Sequence, residues 1–492
     1  MKGLVRESKK NSSSSKAKVS FRIKIIYGIG QITNTIKTIL FGIFTLYFYT
    51  TVLGLSGTLV GIASAAGLVW DAIIDPVIGR YSDTLQGRLG KRHGLMLTGS
   101  AGMGIAFWAY FSPPGNLSTP ALFSWLLITS LCVRTMTSLF AIPYFALGAE
   151  LTRDYHERTS VTGFRSFFAL LGTLAAATLS FVLFFPATSP GIDPKFNPEG
   201  YRAMGLWAGL AMTLIGCICT LGTLPYRQYY APKADMPEKE TVRSFFADML
   251  RSLRNRSFRS IFISYAVFFL GTVLNATIAI HFLTYYVKIT ESKALSFFQL
   301  SFYLGALAGV LFWIKISKHL EKSLIYFFGT LATAIIMGCA FFLLGEGHLL
   351  GTGNLQPLLI GQGVAGFFAS VLWIIPGSMI ADIADQDELQ TGRRREGVFF
   401  GLFNFGEQMA AGVSILITGV LLDRFTGLVP GQTQQSVLTI SRIGMLYSLL
   451  PSALLAASAV TILKYSINHS VITATQAQLK KNAHEKSPDS LR

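Results

Sequence analysis

Charge is scarce in this sequence. Only 14% of its 492 residues are Asp, Glu, Lys or Arg, against roughly a quarter in soluble domains. Cysteine is scarcer still. Cys132, Cys217, Cys219 and Cys339 fall inside apolar runs and read as small packing residues. No CxxC, HExxH or zinc-type spacing occurs, so nothing supports a metal enzyme. No small-residue cleavage site follows the basic, serine-rich stretch KKNSSSSKAK, and residues 1–24 therefore read as a retained tail rather than a signal peptide. What fills the chain instead is apolar: 51% of residues are hydrophobic. Runs of about 20 such residues recur along its length, each long enough to cross roughly 30 Å of hydrocarbon as a helix. A water-soluble core is excluded, and the lipid bilayer is the solvent this chain expects.

Twelve spans are predicted, at 25–52, 57–79, 93–112, 121–149, 163–185, 203–224, 259–287, 295–314, 322–345, 356–383, 396–422 and 439–464. One long polar loop, 225–258, separates a six-span half (25–224) from a second (259–464), and a second tail covers 465–492. The formal net charge of +17 could suggest nucleic acid, but its distribution points to topology. Of 42 Lys and Arg, 34 lie in the tails and in alternate loops that share one side. The other 8 are Lys37, Arg134, Lys195, Arg202, Lys288, Lys293, Arg424 and Arg442. Positive charge resists translocation, so both termini and the central loop are expected in the cytoplasm.

Three motifs sharpen this. GRYSDTLQGRLGKR, from Gly79 to Arg92, resembles the 2–3 loop signature of the major facilitator superfamily. There Gly79 would allow close helix approach, and Asp83 would pair with arginine across an inner gate to which Arg88 and Arg92 also belong. ADIADQDELQTGRRREG (381–397), WDAIIDP (70–76) and IPYFALGAELTRDYHERT (142–159) together resemble the glycoside-pentoside-hexuronide:cation symporter family, of which the melibiose permease is a member. The likeness is collinear over about residues 25–465 and leaves out the tails. It implies an all-α polytopic membrane protein with twelve transmembrane helices in the major facilitator fold, two six-helix bundles with the solute bound between them. It also assigns Asp382, Asp385 and Arg394 to the same gate region.

Asp71 and Asp75 are four residues apart, so they share one face of span two. At about 1.5 Å per residue from Gly57, Asp71 lies roughly 20 Å deep, inside the hydrocarbon. A carboxylate there is a functional hypothesis by default; the alternative is a structural salt bridge to a neighbouring helix. The resemblance implies that Asp71 and Asp75 are the coupling carboxylates and would ligate Na⁺ if coupling is by sodium. The family's third aspartate, on span four, is replaced by Ala141, and Ser138 one turn earlier can still offer an oxygen. Arg134 lies at a depth on span four that matches Asp71, which makes an ion pair plausible; an Arg134 facing the solute is the alternative.

The family's solute-contacting positions are altered. The span-one aspartate corresponds to Thr35 and the lysine before it to Asn34, a span-four tryptophan to Phe145, and the span-eleven lysine to Gln408. Arg165 and Trp373 are kept. Lys37 on span one is an added base, and Glu407 on span eleven, beside Asn404, is a third intramembrane carboxylate. If Lys37 and Arg134 face the cavity, an acidic solute such as a uronide or sulfonated sugar is favoured. Trp373 could stack on a sugar ring or simply pack. His281, near the end of span seven, reads as a snorkelling residue, and Gly305 and Gly309 as a helix-packing pair. The aromatic residues read mostly as lipid-facing packing.

The expected protein is a secondary active transporter, not an enzyme, moving a sugar or glycoside-like solute in symport with H⁺ or Na⁺ by alternating access. It needs no cofactor beyond the coupling ion and binds no nucleic acid. The expectation is a monomer in the plasma membrane, the inner membrane of a bacterium. One rival keeps the fold and moves a lysolipid or amphipathic acid, which the lost sugar-binding groups favour. A membrane sensor of the same fold would carry a long soluble extension, and the tails are short.

Overall fold

A computed structural model describes residues 19–85, 89–152, 154–186, 193–225, 252–289, 291–317, 319–391 and 396–485, and these are helical throughout apart from short connections. The central loop falls almost wholly outside the described residues, as does most of the N-terminal tail. The first half contains α1 (Phe21–Tyr47), α2 (Gly57–Thr84), α3 (Gly90–Tyr110), α4 (Thr119–Glu150), α5 (Tyr155–Phe184) and α6 (Pro198–Thr223). The second contains α7 (Arg256–His281), α8 (Ser292–Ile316), α9 (Lys322–Leu343), α10a (Leu355–Ala369), α10b (Val371–Thr391), α11 (Glu396–Leu421) and α12 (Val437–Ile462), followed by α13 (His469–Glu485). The boundaries follow local chemistry. Ser20, Ser56 and Ser436 each accept a backbone N–H at the start of α1, α2 and α12, and Asn255 accepts two at the start of α7.

Among the described residues eleven segments are long and apolar enough to cross a membrane, with α10a and α10b counted as one. The twelfth is α3. It is less apolar, and it packs lengthwise against α4 and α6. Helices therefore stand at all twelve expected positions, with span two running on to Thr84 and span ten broken at Ser370. Within the halves α1 packs on α5, α8 on α10a, and α12 on α7 and α9; between them α2 meets α11, α5 meets α8, and α1 meets α7. With an even number of spans, the described termini share one end of the bundles, called here the terminal end. The opposite end is the far end.

Gly305 and Gly309 act inside the chain. A Cβ on Gly305 would run into the carbonyl oxygen of Gly363, and one on Gly309 into that of Phe367, so α8 and α10a touch backbone to backbone. Gly305→Val should force these helices apart at about 1–3 kcal/mol, as overpacking does. A fall in melting temperature of the purified protein in detergent checks this, and an unchanged value would mean the helices have room to separate.

One expectation needs correcting here. The aromatic residues are not mainly lipid-facing: Tyr27, Tyr47, Tyr49, Tyr110, Tyr144, Phe44 and Phe107 are among the largest fully buried side chains. The C-terminal tail carries a helix of its own. α13 docks on the second half, burying Ile472, with Gln476 Nε2 donating to Asp385 Oδ2 at 3.1 Å and the backbone N–H of His469 donating to Glu321.

Candidate functional site

The α2–α4 contact holds the intramembrane charges. Trp70 Nε1 donates to Thr135 Oγ1 at 2.8 Å and so sets the register of the two helices. One residue on in α2 and one residue back in α4, Arg134 Nη1 pairs with Asp71 Oδ2, with side chains only 13% and 19% exposed. Gly67, one turn before Asp71, makes the space: a Cβ there would sit 2.9 Å from Arg134 Cδ. Of the two readings of Arg134, the structure shows the pair.

Asp71 does not exhaust the cluster. Ser138 lies beside Asp75, and Lys37 from α1 shares the electrostatic field of Asp71, Asp75 and Arg134. Two acids and two bases thus balance. Asp71 Oδ1, Asp75 Oδ1 and Arg134 Nε are buried with no hydrogen-bond partner among the described residues. Among the same residues no group of three or more His, Cys, Asp or Glu is placed to hold a metal ion.

The remaining predicted solute residues divide between the halves. Thr35 is buried, and its hydroxyl donates to Gln31 O at 3.0 Å, while the carbonyl of Asn34 accepts from Thr38. Arg165 lies over the Phe145 ring, 5.2 Å from its centre, which brings those two together. In the second half Tyr265 donates to Glu407 Oε2 at 3.4 Å and stacks on Phe403 at 4.0 Å, and Trp373, Asn404 and Gln408 are exposed. Two residues of this region are not marked in the sequence: Gln31, whose buried Oε1 has no hydrogen-bond partner among the described residues, and Gly67. Neither carries a charge that would mark it in an apolar run.

At the terminal end Asp83 pairs with Arg92 at 2.7 Å, and Arg92 also binds Glu150 at 2.8 Å and Ser82 at 2.8 Å. Asp83 thus meets an arginine as expected, and the contact lies within the first half, tying α2, α3 and α4 together. Asp382 pairs with Lys322 of α9 at 2.5 Å, again within one half. Arg88 and Arg394 lie outside the described residues.

Hydrogen bonds between the halves cluster at the far end. His281 is fully buried rather than snorkelling, with Nε2 at 3.2 Å from the hydroxyls of both Thr50 and Thr51. Lys195 Nζ donates to Ile289 O at 3.1 Å, and Ser296 Oγ to Thr178 O at 2.6 Å.

Two helical bundles hydrogen-bonded to each other at one end, with buried charge between span two and its neighbours, are an arrangement suited to membrane transport. The sequence family described as MFS/sugar transport protein matches residues 26–469. The isoprimeverose transporter of Lactiplantibacillus pentosus is 22% identical over 90% of this chain and 88% of its own. The sodium-dependent lysophosphatidylcholine symporter 1 of Xenopus tropicalis is 23% identical over 93% of this chain and 89% of its own. Among solved structures a D-xylose-proton symporter superposes with a TM-score of 0.62 at 15% identity, covering 91% of this chain and 98% of its own. The chain belongs to the MFS/sugar transport protein family, and the resemblance to glycoside-pentoside-hexuronide:cation symporters read from its motifs is borne out.

Proposed function

We propose that the chain is a proton-coupled symporter of an acidic sugar or glycoside-like solute. The observation that carries this is the balanced cluster: Arg134 is committed to Asp71, and Asp75 keeps a buried oxygen without a partner. Asp75 is the group we assign to the coupling ion, with Ser138 beside it. A sodium ion would need several oxygens and would face Lys37 and Arg134 in the same field, whereas a proton needs only the one carboxylate. Once Asp75 is neutralised, the cluster carries one excess positive charge. That charge favours an anion in the space between the halves, near Arg165 and Lys37. Glu407, Asn404, Gln408 and Trp373 would then contact the solute from the second half, with Asn34 and Phe145 on the first. The basic-residue partition supports cytoplasmic termini in a plasma membrane, the inner membrane of a bacterium. On this reading the closed far end faces outward.

The named relatives support cation coupling and divide on the solute. A lysolipid is the second reading, favoured by Ala141 and by a Thr35 hydroxyl already spent on Gln31. Uptake into proteoliposomes of a neutral glycoside, a uronide and a lysolipid, each under an imposed pH or Na⁺ gradient, separates the cases. Uronide uptake driven by the pH gradient is expected. Uptake of the lysolipid alone, or drive by sodium alone, would overturn the respective half of the proposal.

A further inference from the structure

The far end carries a contact that belongs to neither half by itself. The last turn of span eleven, Leu422–Thr426, is a π-turn, and Asp423 projects from it. Its Oδ1 accepts the backbone N–H of Gly57 at 2.8 Å and its Oδ2 that of Thr58 at 2.7 Å. These are the first two N–H groups of α2, which have no partner within their own helix. The Ser56 hydroxyl reaches the N–H of Leu59, at 3.3 Å, so the opposite half completes the cap. A carboxylate is the favoured group there because the start of a helix carries partial positive charge.

The backbones around it are in contact. A Cβ on Gly57 would lie 2.7 Å from the carbonyl oxygen of Gly419, and one on Gly61 would lie 3.0 Å from Leu416 Cα. No side chain separates α2 from α11 at this level, so opening this end requires the helices to part and the two Asp423 bonds to break. Spans one and seven also end here in π-turns, Phe48–Val52 and Phe282–Tyr286. Such turns interrupt regular helix where it is put to use.

We propose that Asp423 is the latch of the gate at this end, broken and remade once per transport cycle by capping α2 across the two halves. The assignment of this end as the outer one rests on the transporter reading above. The geometry leaves little latitude in the side chain. Asparagine offers one acceptor and turns an NH₂ toward the second N–H, and glutamate is a methylene too long for helices already in backbone contact.

The test is thiol accessibility in intact cells. Val60, three residues from Gly57 on the same face of α2, is fully buried. In a background with the four native cysteines replaced by alanine, Val60→Cys should react slowly with a membrane-impermeant maleimide. Adding Asp423→Ala should speed this about fivefold, the population shift that loss of a carboxylate from a helix N-terminus allows, with Asp423→Asn between. Rates within twofold of the parent in both variants, with uptake unchanged, would overturn the latch. If Asp423→Ala does not fold, Asp423→Asn decides by the same criterion. Thr473→Cys, exposed on α13, should react only after permeabilisation. Its reaction in intact cells would overturn the orientation, and the latch would then be read by the same Val60→Cys rates measured from the other face in inverted vesicles.

Discussion

Arg134→Ala should cost the folded protein about 3–5 kcal/mol, because it leaves Asp71 charged and alone in low dielectric. Asp71→Ala should cost a similar amount by stranding Arg134. The double variant should recover most of the loss, since neither charge is then unpaired. The pairing in the structure dictates this direction. An Arg134 reserved for the solute would give the opposite pattern, with a stable single variant and a double variant that is worse. Thermal stability in detergent across the four proteins measures the coupling, and strictly additive losses would show that the two side chains do not interact. Gly67 extends the logic, because the guanidinium occupies the space a side chain would fill.

Asp75→Asn should abolish concentrative uptake and leave exchange. The substitution keeps the shape of the side chain beside Ser138 and removes its ability to take up and release a proton. One pH unit is worth about 1.4 kcal/mol, or tenfold accumulation for one coupled proton. The parent should therefore concentrate an acidic solute about tenfold per imposed pH unit, and the variant should equilibrate it to a ratio of about one. Counterflow with internal solute should persist, since the solute-contacting residues are untouched. An Asp75→Asn protein that concentrates solute as the parent does would return Asp75 to a structural role and move the search for the coupling group to Glu407, which is held only by the 3.4 Å contact from Tyr265 among the bonds described above.

These two carboxylates show how far the sequence could be read. Asp71 and Asp75 stand out in an apolar run because charge in hydrocarbon is costly, and helical spacing alone puts them on one face. Counting residues from the span edges was enough to match Asp71 to Arg134 in depth, since an α-helix rises by a fixed amount per residue. It could not tell pairing from solute contact. That depends on which way span four is rotated, and the rotation is set by Trp70 on Thr135 and by the absence of a side chain at Gly67. The Gly305–Gly309 pair was legible for the same kind of reason: small residues one turn apart mark close helix approach wherever the partner lies.

His281 and Asp423 were not legible. Each sits near the end of a span, where a polar residue ordinarily reaches water, and nothing along the chain distinguishes that from burial against the other half. His281 meets Thr50 and Thr51 from 230 residues away, and Asp423 meets Gly57 from 366. Asp83 was legible only in part, because a loop signature points to an arginine partner but does not say which of several its acid will meet. By itself the sequence determined the solvent, the number of spans and the buried charges, because each follows from local cost per residue in hydrocarbon, and it determined the family through motifs that resemble the family's. Tertiary structure alone decided which charges pair, which aromatic rings fill the interior and which end is closed. Those depend on how two rigid bundles lean on one another, and the contacts that hold that lean are between residues the chain places far apart.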